Sequence, residues 1–128
     1  MKMKMGYVIL YVENLEKTKH FYGELLGLEL KNEFGTYIEY DTGTTILSFN
    51  TREDVRELTQ LPIPNGKRND QTFELGFVTE EVEAVVETLR SAGVRILMEP
   101  VEKPWGQKVA YVEDPDGHYI EICTPIGS

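Results

Sequence analysis

Gly6-Tyr7-Val8-Ile9-Leu10-Tyr11-Val12-Glu13-Asn14-Leu15 and Phe73-Glu74-Leu75-Gly76-Phe77-Val78-Thr79-Glu80-Glu81-Val82 are one pattern written twice. Each opens as a strand-like run and passes into a helical stretch. The first helix closes on Leu26-Gly27 and the second on Ala92-Gly93. Strand-like segments around a turn follow in both halves, at Asp41-Thr42-Gly43 and at Asp114-Pro115-Asp116-Gly117. Tyr7 and Glu74 stand 67 residues apart, and so do Leu15 and Val82. A repeat of about 60 residues is too long for a typical solenoid unit. Two copies predict a pseudo-symmetric domain with a site between its halves.

Residues 6–12 are apolar, β-branched or aromatic, which reads as a strand. Asn14 is placed to cap the following helix through its side-chain oxygen. Leu15, Thr18, Tyr22, Leu25 and Leu26 recur at helical spacing and form a stripe to bury. Gly27 stops that helix. Strands follow near 28–33, 36–41 and 44–50. Arg52–Leu58 reads as a short helix, and the turn-rich Leu61–Asp70 reads as the body of a linker over 51–72. The cycle then restarts with a strand at 73–78 and a helix striped by Val82, Val85, Val86 and Leu89. Strands near 94–99, 107–113 and 118–123 complete it. The result is βαβββ twice, an α+β architecture of two curved sheets around a concave cleft. The modules run over 6–50 and 73–124 of a single domain, 1–128. A sheet covered by helix on one face leaves the other for a ligand.

Composition narrows the function. The chain of 128 residues carries 27% charged residues and a net charge of −9. That surface repels phosphate backbones, so nucleic acid is not an expected partner. Glu80, Glu81, Glu83 and Glu87 fit a helix start and its solvated face. No run approaches the roughly 18–20 apolar residues of a membrane span. The start, Met1-Lys2-Met3-Lys4-Met5, lacks a signal peptide's apolar stretch, so the cytoplasm is the expected location. Cys123 is the sole cysteine, which rules out an intrachain disulfide and a cysteine-rich zinc site. No phosphate loop, dinucleotide fingerprint or serine-nucleophile elbow is present.

Val12-Glu13-Asn14-Leu15 followed by His20-Phe21-Tyr22, and the ending Val112-Glu113-Asp114-Pro115-Asp116-Gly117-His118-Tyr119-Ile120-Glu121-Ile122, resemble the vicinal oxygen chelate superfamily. That superfamily includes glyoxalase I, the bleomycin- and fosfomycin-resistance proteins and the extradiol dioxygenases. The second motif is the more specific. The resemblance covers roughly 6–125 and implies the glyoxalase/bleomycin-resistance fold. It does not by itself fix an activity.

Strand alternation then assigns faces. Val8, Leu10 and Val12 go to the helix side, and Tyr7, Ile9 and Tyr11 to the cleft. Leu75 and Phe77 go to the core, with Glu74 and Gly76 opposite. Ile120 and Ile122 go to the core, with Tyr119, Glu121 and Cys123 opposite. Thr45, Leu47 and Phe49 are assigned to the cleft in the first half. The resemblance implies metal ligands at the first and last strands of each half. Those positions match Tyr7, Leu47 (or Ile46 after a one-residue slip), Glu74 and Glu121. Only Glu74 and Glu121 are good ligands. Divalent ions usually want three or more protein ligands, so any ion here is a hard one, loosely held. His20, beside Lys17 and Lys19, is expected to be exposed. His118 is expected on the helix side or at the rim, and neither is expected to bind metal.

Without a metal, Glu121 is the candidate general base, since two carboxylates in one aromatic cleft make an electrostatically loaded site. Glu74 is its companion. Tyr7, Tyr11, Phe49, Trp105 and Tyr119 either stack on a planar ligand beside Leu47 or fill the cleft as core. Glu102–Gln107 reads as a loop at the cleft mouth that presents Trp105. Cys123 reads as an inert apolar residue. Two functions follow. One is a binding protein with a depleted metal site and no cofactor, which holds a small aromatic or cationic molecule. The other is a glyoxalase-type lyase or isomerase acting on a small carbonyl or oxygenated substrate, with Glu121 as base or as ligand to a divalent ion. An extradiol dioxygenase is the weakest option, because its iron wants two histidines and a carboxylate. A homodimer is expected, since relatives of this length pair their modules across chains.

Overall fold

A computed structural model describes residue 3, residues 5–65 and residues 72–126. Two compact units divide the chain, Met1–Lys67 and Arg68–Ser128. The first holds β1 (Tyr7–Val12), α1 (Leu15–Thr18), β2 (Glu29–Phe34), β3 (Tyr37–Asp41), β4 (Ile46–Thr51) and α2 (Arg52–Thr59). The second holds β5 (Leu75–Val78), α3 (Val82–Ser91), β6 (Ile96–Glu102), β7 (Lys108–Glu113) and β8 (Tyr119–Cys123). The strand orders are β1-β4-β3-β2 and β5-β8-β7-β6, so the βαβββ unit occurs twice with one topology. In each, the first and last strands pair in parallel and the rest are antiparallel.

The first helix starts as read. Asn14 Oδ1 accepts from the Lys17 amide at 3.0 Å. Beyond Thr18 it widens into a π-helical segment, Lys19–Leu25, in which the Leu26 amide reaches back to the Phe21 carbonyl. Phe21 and Tyr22, neighbours in sequence, are both buried. Phe21 thus belongs to the core although the stripe read from sequence omits it. Gly27 then takes φ +75°, a conformation that admits no side chain cheaply.

In the first unit Leu10, Val12, Ile38, Tyr40, Leu47 and Phe49 pack beneath this helix. Tyr22 and Phe49 rings lie 4.5 Å apart, and Phe21 meets Tyr22 edge-on at 4.9 Å. Such pairs contribute about 0.5–1.5 kcal/mol beyond burial alone. In the second unit Val82, Val86 and Leu89 of α3 are buried, as are Ala110, Val112, Ile120 and Ile122 of the sheet. Glu83 pairs with Lys108 and Glu87 with Arg90, so these glutamates do lie on a solvated face.

Two expectations change. The segment 51–59 is not linker: Thr51 ends β4 and caps α2 through the Asp54 amide, and α2 lies on the first sheet with Val55 buried. Arg52, also buried, pairs with Glu13 at 2.7 Å. The turn-rich Gly66–Asp70 lies outside the described residues. Second, Leu47 and Phe49 face the helix, not the opposite side. The parallel register sets Val8 beside Leu47 and Leu10 beside Phe49, and partners in a ladder share a face. Among the described residues no helix is long and apolar enough to cross a membrane.

Phe49→Ala should therefore behave as a core deletion and cost about 3–5 kcal/mol of unfolding free energy. Urea unfolding followed by circular dichroism checks this, and a change near zero would return Phe49 to an exposed face.

Candidate functional site

A sheet that buries one face against a helix turns every second side chain the other way. In the second unit those residues include Glu74, Gly76, Tyr111, Tyr119, Glu121 and Cys123. The β5–β8 ladder sets Gly76 beside Glu121, and the β7–β8 ladder sets Tyr111 on the other side of Glu121. The Tyr111 hydroxyl lies 3.0 Å from Glu74 Oε2, 3.3 Å from Glu74 Oε1 and 3.3 Å from Glu121 Oε2. The structure thus brings the two glutamates named from sequence to one phenol, which sequence reading did not single out.

A phenol has one proton to give, so Tyr111 serves one carboxylate at a time. Burial pushes its hydroxyl well above the ordinary tyrosine range, and the bond to Glu74 and the charge of Glu121 add to this. Tyr111 is therefore a fixed donor at physiological pH. Cys123 lies alongside, with Sγ 3.5 Å from Glu121 Oε1. Burial, then the Glu121 charge, raises its thiol to about 11. It stays protonated at neutral pH, which agrees with an inert role.

Other residues of the second unit have partners of their own. Trp105 is 60% exposed in the β6–β7 loop, and its indole N–H donates to Gln107 Oε1 at 2.9 Å. Gln107, buried, is anchored in turn to the Thr124 carbonyl at 3.0 Å. Tyr119 pairs with Glu113 in the ladder and is half-buried. His118 is tied down by Asp114, Nδ1 to Oδ2 at 2.7 Å, which also accepts from the Asp116 and His118 amides. His20 is exposed and pairs with Glu24.

In the first unit the face opposite the helix carries Tyr7, Ile9, Tyr11, Ile46 and Ser48. Ser48 pairs with Ile9 and with Glu39, as Glu121 pairs with Gly76 and Tyr111. The first-half counterpart of Glu121 is thus Ser48, not Leu47, whose side chain points to the core. The sequence alone could not fix that register, because it depends on which residues of β1 and β4 meet. Ser48 is fully buried.

Around it lies a polar cluster that sequence reading passed over. Asn32 donates to Glu39 Oε1 at 2.8 Å, and Tyr37 donates to Glu39 Oε2 at 2.6 Å. The Tyr37 hydroxyl also lies 3.1 Å from Ser48 Oγ, within hydrogen-bond reach. A bulge in β2 between Leu30 and Asn32 sets Asn32, in place of Lys31, opposite Glu39. Asn32 and Tyr37 hold the Glu39 carboxyl below its usual range. Burial, then the bond to Glu39, raises Tyr37. The signal was present in Tyr37-Ile38-Glu39-Tyr40, where polar groups alternate with buried Ile38 and Tyr40.

The described residues do not fit a bound divalent ion. Among the described residues no three His, Cys, Asp or Glu side chains cluster to hold one. Glu74 and Glu121 are the sole good ligands at the matched positions; Tyr7, Ile46 and Ser48 supply none.

Residues 5–127 match the glyoxalase-like domain family. The chain belongs to that family. It is 32% identical over 125 residues to the uncharacterized protein YraH of Bacillus subtilis (strain 168), covering 94% of this chain and 97% of YraH. It is 30% identical over 127 residues to a lactoylglutathione lyase of Neisseria meningitidis serogroup A, covering 94% and 89%. Among solved structures, a glyoxalase-related enzyme from Fulvimarina pelagi superposes with a TM-score of 0.84 at 25% identity, covering 99% of this chain and 94% of that one. A lactoylglutathione lyase from Agrobacterium tumefaciens, at 20% identity and a TM-score of 0.72 over 97% and 95%, shares the fold. The fold implied by the sequence motifs is therefore the fold this glyoxalase-like chain has.

Glu39 gives a pH test. Its pKa is depressed on folding, so its stabilisation is present above the unfolded carboxylate range and is lost as pH falls through the folded value. Glu39→Gln should remove that loss. Its stability between pH 5 and 3 should fall less steeply than wild type, by up to about one proton in the slope. Parallel slopes in urea titrations would sink this account.

Proposed function

We propose that this glyoxalase-like protein binds a small aromatic or cationic molecule on the helix-free face of its second sheet, over a depleted metal site. The observation that carries the reading is the Glu74–Tyr111–Glu121 cluster. Two carboxylates share one phenol, and their partners among the described residues are a hydroxyl and a thiol, both neutral. A ligand with N–H donors supplies what this arrangement lacks, because hydrogen bonds to charged acceptors are about twice as strong as neutral ones. Tyr119 and Trp105 offer aromatic surface in the same unit, and the net charge of −9 favours cations in solution.

A second reading has its own support, the 30% identity to a lactoylglutathione lyase. On it, Glu121 is the general base that takes a proton from carbon beside a carbonyl, and Tyr111 fixes its orientation. The ligand count weighs against a metal-held intermediate in this chain, and so the binding reading stands first. A homodimer and a cytoplasmic setting belong to the same proposal. Tyr7 and Ile9 leave about half their surface exposed on β1, which supports pairing with a second copy. Light scattering that finds a monomer at micromolar concentration would end that part.

Elemental analysis separates the two functions. The purified, untagged protein should retain far less than one equivalent of nickel, manganese, zinc or iron(II) after incubation with each. Near-stoichiometric metal that vanishes in Glu121→Gln would instead establish the metalloenzyme and direct work to lyase assays.

A further inference from the structure

Gly76 is the one position on the inner stretch of β5 where the helix-free face lacks a side chain. It sits beside Glu121 in the parallel ladder. A Cβ built there would come within 3.1 Å of Glu121 Oε1 and, among the described residues, would meet nothing else within 4 Å. The glycine is exposed, so the space above it opens to solvent. Its φ is not among the positive ones, so the backbone does not require glycine. Glycine inside a strand weakens the strand, and it often marks the place where a ligand comes close.

The rest of the surround explains what would enter. Oε2 of Glu121 faces the Tyr111 hydroxyl, while among the described residues Oε1 has only the weak thiol donor of Cys123 at 3.5 Å. The oxygen next to the vacant Cβ position is therefore the less satisfied of the two. We propose that Gly76 is a specificity-determining residue, whose missing side chain leaves a slot through which an ammonium or amidinium group of a ligand reaches Glu121 Oε1. This deepens, and rests on, the reading of Glu121 as part of the binding site. An alanine narrows the slot, and the atom it crowds is the far end of a flexible side chain, so the fold survives the change.

The experiment is calorimetric titration of wild type, Gly76→Ala and Glu121→Gln with three probes of one shape: phenethylammonium, phenethyl alcohol and phenylacetate. Thermal unfolding is recorded alongside. Wild type should prefer the ammonium over the alcohol by about tenfold, the scale of one hydrogen bond to a charged group. Gly76→Ala should lose about tenfold for the ammonium, with its Tm at or above wild type. Glu121→Gln should erase the preference. Wild-type affinity in Gly76→Ala, with the preference lost in Glu121→Gln, overturns the slot and leaves the Glu121 site standing. Wild-type behaviour in both variants overturns the site as well. No ammonium preference in wild type overturns the proposed ligand class.

Discussion

The parallel ladder from β1 to β4 sets Leu10 beside Phe49, and the ladder from β5 to β8 sets Gly76 beside Glu121. Parallel neighbours need a long crossover, and in each unit that crossover is a helix followed by two antiparallel strands. The helix must lie on one face of the sheet. That single placement makes every strand two-sided, with Ile38, Tyr40, Ile120 and Ile122 under helix and Glu39, Tyr111 and Glu121 turned away from it. Core and chemistry are alternate residues of the same strands.

The turned-away faces of the two units solve one electrostatic problem differently. In the first unit Glu39 is buried and takes two good neutral donors, Asn32 and Tyr37, and this holds it ionised. Asn32, Tyr37 and Ser48 join it in one network, and satisfied networks of this kind rigidify. In the second unit one phenol stands among three carboxylate oxygens and cannot satisfy both groups at once. The first unit is thus suited to hold shape, and among the described residues the second leaves acceptor capacity unfilled.

Much of this was legible from residue order. The 67-residue repeat, Asn14 as cap, Gly27 and Gly93 as stops, and a short helix over Arg52–Leu58 follow from local patterns that the structure reproduces, the helix running one residue further to Thr59. Alternation placed Glu121 opposite Ile120 and Ile122. In β4, Leu47 and Phe49 were assigned to the wrong face by matching the strand to the second half one residue out of register. Leu47-Ser48-Phe49-Asn50 does alternate apolar with polar, but all four residues are buried, so exposure does not separate the two faces there. Tyr111 and Tyr37 escaped notice because a tyrosine inside a strand reads as packing until its hydroxyl has a partner.

The sequence by itself determined the elements, their duplication, and the supply of just two carboxylates at the family's ligand positions, since these depend on spacing and residue type. Only the tertiary structure decided that Ser48 is the counterpart of Glu121, that Asn32 meets Glu39 across a bulge, and that Tyr111 joins Glu74 to Glu121. Those facts are set by strand register, and register is a pairing between segments tens of residues apart. A shift of one residue reverses every side chain, and a strand's own residues do not say which distant partner each of them meets.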